Sequence, residues 1–398
     1  MAPTARPRVL FVTYEASRTG SPLLLLRFLR WLVAAEAVDP EVVCWRGGPL
    51  DAEFARLAPT RVLAPASGRS LAETVAVGAG EVGLGALGRL VDRGRVAAGL
   101  RGLRRPDAIH LNGVPAFTAL PHLDAEGVPV LGHVHELEFA LRRSLAPDEA
   151  QLLLAADRYV AVSHAVADNL TARHHVAPER VAVRHGFVDE IPPTDADAAD
   201  RAVDALRAEL GLAPGAPVVA MVGDLTWRKG ADLFVAVGAA LAQRVPSAHL
   251  VWVGGAPGRG AWDETVFDMA ARDLRDRVHL VGERDDVAPF LALADVFALT
   301  SREDPFPLVA LEAARAGVPV VAFDQGGVPE LLTVPGEPAA GVLVPPLDVV
   351  AMAEAVGELL DAPAARAALG AAGSERVATH HTTAVAAPAL LAELEGLW

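Results

Sequence analysis

Residues 218–232 read VVAMVGDLTWRKGAD: an apolar run, a glycine, a polar turn and the start of a helix. A short unbroken apolar run is a strand covered on both faces, and a strand leading through a turn into a helix belongs to a parallel α/β sheet. The turn holds Lys229, the only lysine in the chain; the other 34 of the 35 basic residues are arginine. A chain that uses arginine wherever a cation suffices keeps a lysine where a compact ammonium must enter a confined place. Beside a glycine that opens a helix, that place suits a diphosphate held at the helix N-terminus. The plainer alternative is a lone lysine on a solvated turn.

The same pattern repeats outward from this stretch. Strand-like runs fall at residues 8–13, 42–45, 61–63, 108–112, 130–135, 159–162 and 181–184. A second series falls at 218–222, 250–254, 278–281, 296–299, 318–323 and 342–344, with helical patterns such as 23–35 between. Two strand–helix series predict an α/β protein of two facing, doubly wound, Rossmann-like domains. The expected boundaries are a first domain at 1–190, a linker at 191–216 around a short helix at 201–210, and a second domain at 217–380. A last helix at 381–398 has the option of packing back on the first domain. Ligands of open parallel sheets bind beyond the carboxyl ends of the strands, so the site is expected in a cleft between the domains.

Composition narrows the class. At 398 residues the chain exceeds what one core usually serves, and 52% hydrophobic with 21% charged residues is a globular composition. The absence of an apolar leader and of an apolar run near ~20 residues predicts a soluble, cytoplasmic protein. The one cysteine, Cys44, reads as a small buried hydrophobe. The net charge of −15 lies wholly in the second half, since residues 1–190 hold 21 basic and 21 acidic side chains and 191–398 hold 14 and 29. That acidity argues against a nucleic-acid partner and obliges an anionic ligand there to find local cations. Arg228 and Lys229 are adjacent and available.

After the 296–299 run comes TSREDPFPLVALEAARAG, residues 300–317. The simplest reading makes Asp304 a helix cap and Pro305 the first helical residue. The amides of Phe306, Leu308 and Val309 would then face the same place as Lys229. Glu312, eight residues beyond Asp304, is either a solvated neighbour of Arg315 or an acceptor for a vicinal diol such as a ribose. The next stretch, VPVVAFDQGGVPELL at 318–332, puts Gly326 and Gly327 in a tight turn, with Glu330 in the helical turn that follows. Adjacent glycines permit close backbone approach to a ligand and also serve turns for local reasons.

The order Gly223, Lys229-Gly230, Asp304 eight before Glu312, then DQGGVPE and GVLVPP resembles the carboxyl half of the retaining glycosyltransferases of family 4, which have the GT-B architecture. RVLFVTYEASRTGSP, DAIHLN, VLGHVHEL, ADRYVAVSHAVADNL and ERVAVRHGF follow one another in family order in the first half. The resemblance implies Asp304 on the donor sugar, Glu312 on ribose, and Arg228 and Lys229 on the diphosphate. The donor-binding set would extend to Gly20, Gly223, Glu303, Phe306, Pro307, Leu308, Val309, Gly326, Gly327 and Glu330. No cofactor or metal is implied, the two cations taking the part of a metal.

This sequence departs from the family pattern in three places. Asp224 stands where relatives usually carry arginine, so Arg228 substitutes or the diphosphate is held more weakly. The first carboxylate is an aspartate, with Glu303 beside it as a rival. Phe306 lies between prolines rather than glycines, and Pro307 has no amide to give a sugar hydroxyl.

In the first domain, His135 matches a family position that contacts donor sugar or acceptor, although a structural histidine is an equal reading. His133 and His135 are expected on opposite sheet faces and so not on a shared metal. Ser163 reads as a helix cap and Gly20 as part of a loop before a helix. Residues 89–105 hold six arginines and one aspartate. They fit a solvated helix, the simpler reading, or a peripheral face on an anionic membrane carrying a lipid-linked acceptor.

The expected activity is therefore retaining transfer of a sugar from a nucleotide diphosphate sugar to a hydroxyl acceptor. The alternatives are a nucleotide-sugar epimerase on the same fold and a non-catalytic nucleotide-sugar-binding protein. A nicotinamide dehydrogenase is disfavoured because no glycine-rich fingerprint with a downstream acid follows the first strand.

Overall fold

A computed structural model describes residues 6–65, 96, 98–146, 149–190 and 196–398. The chain forms two compact units, one running to Gly186 and including Thr383–Trp398, the other spanning Phe187–Thr382.

The first unit holds a seven-stranded sheet, all parallel, in the order β3-β2-β1-β4-β5-β6-β7. Its strands are β1 (Arg8–Glu15), β2 (Asp39–Arg46), β3 (Thr60–Val62), β4 (Ala108–Asn112), β5 (Val130–Val134), β6 (Arg158–Ala161) and β7 (Val181–Val183). The second holds a six-stranded parallel sheet in the order β10-β9-β8-β11-β12-β13. These are β8 (Val218–Val222), β9 (His249–Val253), β10 (Val278–Leu280), β11 (Val296–Leu299), β12 (Val320–Phe323) and β13 (Gly341–Val344). Central strands such as β4, β5, β11 and β12 are buried at every position, as helices on both faces require. In each unit the order reverses beside the first strand, between β1 and β4 and between β8 and β11. The carboxyl ends of those strand pairs are where ligands of open parallel sheets bind.

The helix expected within the linker starts earlier than 201 and packs into the second unit, and the last helix takes the option of joining the first. The stretch read as a linker carries a helix, Ala196–Glu209, and Leu206 and Leu212 join Val218, Val251, Val253, Phe290 and Leu293 in one apolar cluster. The last helix, Thr383–Glu395, belongs to the first unit. There Leu390 and Leu394 are buried, and the Glu393 carboxylate pairs with Arg158 at 2.9 Å and Arg184 at 2.6 Å.

Cys44 is buried in β2, where burial and the nearby Asp51 push its thiol up to about 12. Among the described residues no helix is long and apolar enough to cross a membrane. Of the arginine-rich stretch, residues 89–95 and 97 lie outside the described residues.

Candidate functional site

In the second unit the loops after β8 and β11 meet. The turn Trp227–Lys229 ends at Gly230, whose φ of +71° starts the Ala231–Arg244 helix. A Cβ at Gly230 would stand 2.1 Å from the Thr300 carbonyl oxygen, so only glycine lets the two loops approach this closely. Thr300 Oγ1 donates to the Gly230 carbonyl at 3.1 Å, and the Arg302 amide donates to the Arg228 carbonyl at 2.7 Å.

That junction brings Lys229 Nζ to 2.6 Å from Asp304 Oδ2. Ser301 Oγ donates to the same oxygen at 3.0 Å. Arg228 Nη1 donates to the Glu303 carbonyl at 2.9 Å and stands 3.9 Å from Asp304 Oδ1. Burial opposes charge on Asp304, but Lys229, Arg228 and the two hydrogen bonds outweigh it and hold the carboxyl below its ordinary value. Lys229 is also held below its ordinary value, because burial, with Arg228 beside it, outweighs the attraction of Asp304. A carboxylate ionised at neutral pH thus lies beneath two closely spaced cations.

Glycines line this pair. The Lys229 stem passes 3.5 Å from where a Gly223 Cβ would be. The Gly223 carbonyl accepts from the buried Trp252 indole at 2.8 Å, which fixes the end of β8. Gly326, at φ +67°, leaves no room for a Cβ beside the Asp304 carbonyl oxygen, 2.2 Å away, and the Gly327 amide donates to that oxygen at 3.0 Å. The glycine pair therefore serves to hold the Asp304 backbone.

The helix beyond starts later than the sequence reading placed it. It runs Leu308–Arg315, with Pro307 preceding it at φ −73° and ψ 108°. Asp304 and Phe306 each precede a proline, which disfavours the helical region, so Asp304 is not the cap and Pro305 is not the first helical residue. Phe306 is buried with its ring centroid 5.5 Å from that of His381. Glu312 is half-buried in the second turn, Leu308 and Val309 are half-buried in the first, and Glu330 is half-buried in the first turn of the Pro329–Leu332 helix.

In the first unit, Gly20 opens the Gly20–Ala34 helix after β1. Its neighbour Ser21 accepts from Asn112 Nδ2 through its carbonyl at 3.1 Å and its hydroxyl at 2.9 Å. Asn112 Oδ1 in turn faces His135 Nε2 at 3.1 Å. The Glu136 carboxylate accepts from the amides of His135 at 2.9 Å and Val114 at 3.1 Å. Ser163 caps the His164–His174 helix by accepting from the Val166 amide at 3.2 Å.

The placement of His133 and His135 on opposite faces is overturned. Their ring centroids are 4.2 Å apart, because residues two apart along a strand share a face. His110 joins them, 5.4 Å from His133. Burial lowers all three, His110 and His135 to about 3, and repulsion from a neighbouring charged ring adds to it for His133 and His135. Among the described residues no group of three or more His, Cys, Asp or Glu side chains could hold a metal ion.

The family profile described as "Glycosyltransferase Family 4" matches residues 20–190, and that of "Glycosyl transferases group 1" matches residues 216–362. A D-inositol 3-phosphate glycosyltransferase of Xylanimonas cellulosilytica is 33% identical over 293 residues, 68% of this chain and 68% of that protein. The chain belongs to glycosyltransferase family 4. A protein of the same name from Mycobacteroides abscessus is 34% identical over 252 residues, 60% of this chain and 54% of that one, so the match spans about half of that relative's length. The crystal structure of Anabaena HepE in complex with UDP-glucose shares the fold at a TM-score of 0.77 and 20% identity, covering 98% of this chain and 100% of that one. The two parallel-sheet α/β units are therefore those of a GT-B glycosyltransferase fold.

Direct contacts in this family 4 glycosyltransferase join Gly223, Arg228, Lys229, Glu303, Asp304, Gly326 and Gly327. Sequence reasoning missed Arg302, whose guanidinium grips Asp232 through two hydrogen bonds of 2.7 and 2.5 Å, donates to the Trp227 carbonyl at 2.9 Å and lies 5.1 Å over the Trp227 ring. It clamps the turn that presents Arg228 and Lys229. It also missed Ser301 and Asn112, which become visible only once neighbouring loops are folded together.

Proposed function

We propose that this chain transfers a sugar, with retention of anomeric configuration, from a nucleoside diphosphate sugar to a hydroxyl acceptor. The observation that carries the reading is the Lys229–Asp304 pair, with Arg228 beside it, at the β8/β11 strand-order reversal. A diphosphate there meets two cations fixed before it arrives, and they stabilise the charge that develops on the leaving phosphate. Asp304 Oδ2 is occupied by Lys229 and Ser301, so Oδ1 is the atom left to orient a donor-sugar hydroxyl. Glu312 takes the ribose diol and His135 a sugar hydroxyl, as family resemblance implies. The anomeric carbon's bond to the phosphate oxygen breaks, its bond to the acceptor oxygen forms on the same face, and the acceptor proton passes to the leaving phosphate oxygen. UDP-glucose bound to HepE and the names of the inositol-phosphate relatives support a nucleotide-sugar donor and a small hydroxyl acceptor.

The test is transfer from a set of nucleoside diphosphate sugars to such acceptors, with the product anomer read by NMR. Retained configuration is expected, and Lys229→Ala is expected to lose roughly 100-fold or more in kcat with unchanged circular dichroism. An inverted product would overturn retention, and near-normal transfer by Lys229→Ala would overturn the site.

A further inference from the structure

We infer that Asn112 is a positioning residue that holds the His135 imidazole as its Nε2–H tautomer, leaving Nδ1 as the ring nitrogen offered to a substrate hydroxyl. The inference rests on the reading of His135 as a sugar-binding group. Asn112 is buried at the carboxyl end of β4, and the direction of its carboxamide is decided by Ser21. The Ser21 carbonyl can only accept, so the amide end 3.1 Å from it must be Nδ2. Ser21 Oγ at 2.9 Å and Thr13 Oγ1 at 3.4 Å engage the same nitrogen. Reversing the amide would set two bare oxygens against each other in a buried site and leave a donor facing the ring.

With Nδ2 fixed, Oδ1 faces His135 Nε2 at 3.1 Å and, having no proton, requires one on the ring nitrogen. A neutral imidazole carries one proton, so Nδ1 keeps its lone pair. The ring stays neutral because burial, with His110 nearby, lowers it to about 3. The groups that face it are His133 at 4.2 Å between ring centroids, His110 beyond, and the Glu136 carboxylate on its own backbone amide. His135 is thereby set to accept a hydrogen bond from a hydroxyl, and Asn112 ties it to the Gly20 turn through Ser21.

The direct test is a two-bond proton–nitrogen correlation spectrum of the full chain labelled with 15N-histidine, the His135 signals assigned by their loss in His135→Gln. The Nε2–H pattern, unchanged from pH 5.5 to 8.5, is expected; an Nδ1–H pattern, or titration in that range, overturns the inference, the wild-type spectrum alone carrying the result once His135 is assigned. Asn112→Asp puts a carboxylate against Nε2 and raises the ring's pKa. In that variant His135 is expected to titrate in the spectrum, with kcat/KM about tenfold below wild type at pH 6 and recovering as pH rises and the ring loses its proton. A pH profile for Asn112→Asp as flat as wild type would count against it. Unchanged turnover in His135→Gln would instead remove the role given to His135, an outcome the tautomer spectrum does not share.

Discussion

The methylene stem of Lys229 lies over Gly223, its ammonium meets Asp304, and its turn is clamped by Arg302. Lys229 stood out in the sequence because a single lysine among arginines is a compositional fact. Arg302 did not, because it is one of 34 arginines and its role exists only where the β8 and β11 loops meet. Asp304 was found through its spacing to Glu312, but its surroundings were misread, since two prolines delay the helix to Leu308. The role of Gly326 gives a prediction at this scale. Gly326→Ala combines a left-handed φ with a Cβ 2.2 Å from the Asp304 carbonyl oxygen. It is expected to cost about 2 kcal/mol or more and to displace Asp304. Equilibrium denaturation and nucleoside diphosphate affinity should both fall; a variant matching wild type in both would show that the loop tolerates a side chain.

Strands were the most legible elements, because buried parallel strands are unbroken apolar runs between turn residues. The histidine cluster at β4 and the end of β5 is not legible in the sequence, since His110 lies on a separate strand and only the folded sheet brings it beside His133. Its consequence is a pH dependence of stability. His110, His133 and His135 are held below the ordinary imidazole value when folded, so the unfolded chain binds protons that the folded unit refuses. Their contribution is complete above pH ~6.5 and is lost as pH falls, by up to about 1.4 kcal/mol per pH unit for each group. The thermal midpoint of the first unit should drop between pH 7 and 5, and His110→Phe should flatten that drop by one proton's worth. A midpoint constant across this interval would contradict the burial described for the cluster.

At the scale of the molecule, two α/β units and the option of a last helix returning to the first are legible in two series of strands and a terminal helical pattern, while the packing of the linker into the second unit is not. Residues read as a linker pack through Leu206 and Leu212, which follow no strand pattern. The last helix returns to the first unit through Glu393, whose partners Arg158 and Arg184 lie more than 200 residues earlier in the chain. Removing residues 383–398 is therefore expected to lower the thermal midpoint of the first unit while the second still binds nucleotide; an unchanged first transition would contradict that packing. The binding of a nucleoside diphosphate at Lys229 proposed for the second unit is tested by a thermal-shift panel of nucleoside diphosphates on wild type and Lys229→Ala. A ligand at 100 times its dissociation constant stabilises the folded state by about 2.7 kcal/mol. At least one diphosphate should raise the wild-type midpoint and leave the variant's nearly unmoved. No shift with any of them, or equal shifts in both proteins, would contradict the account.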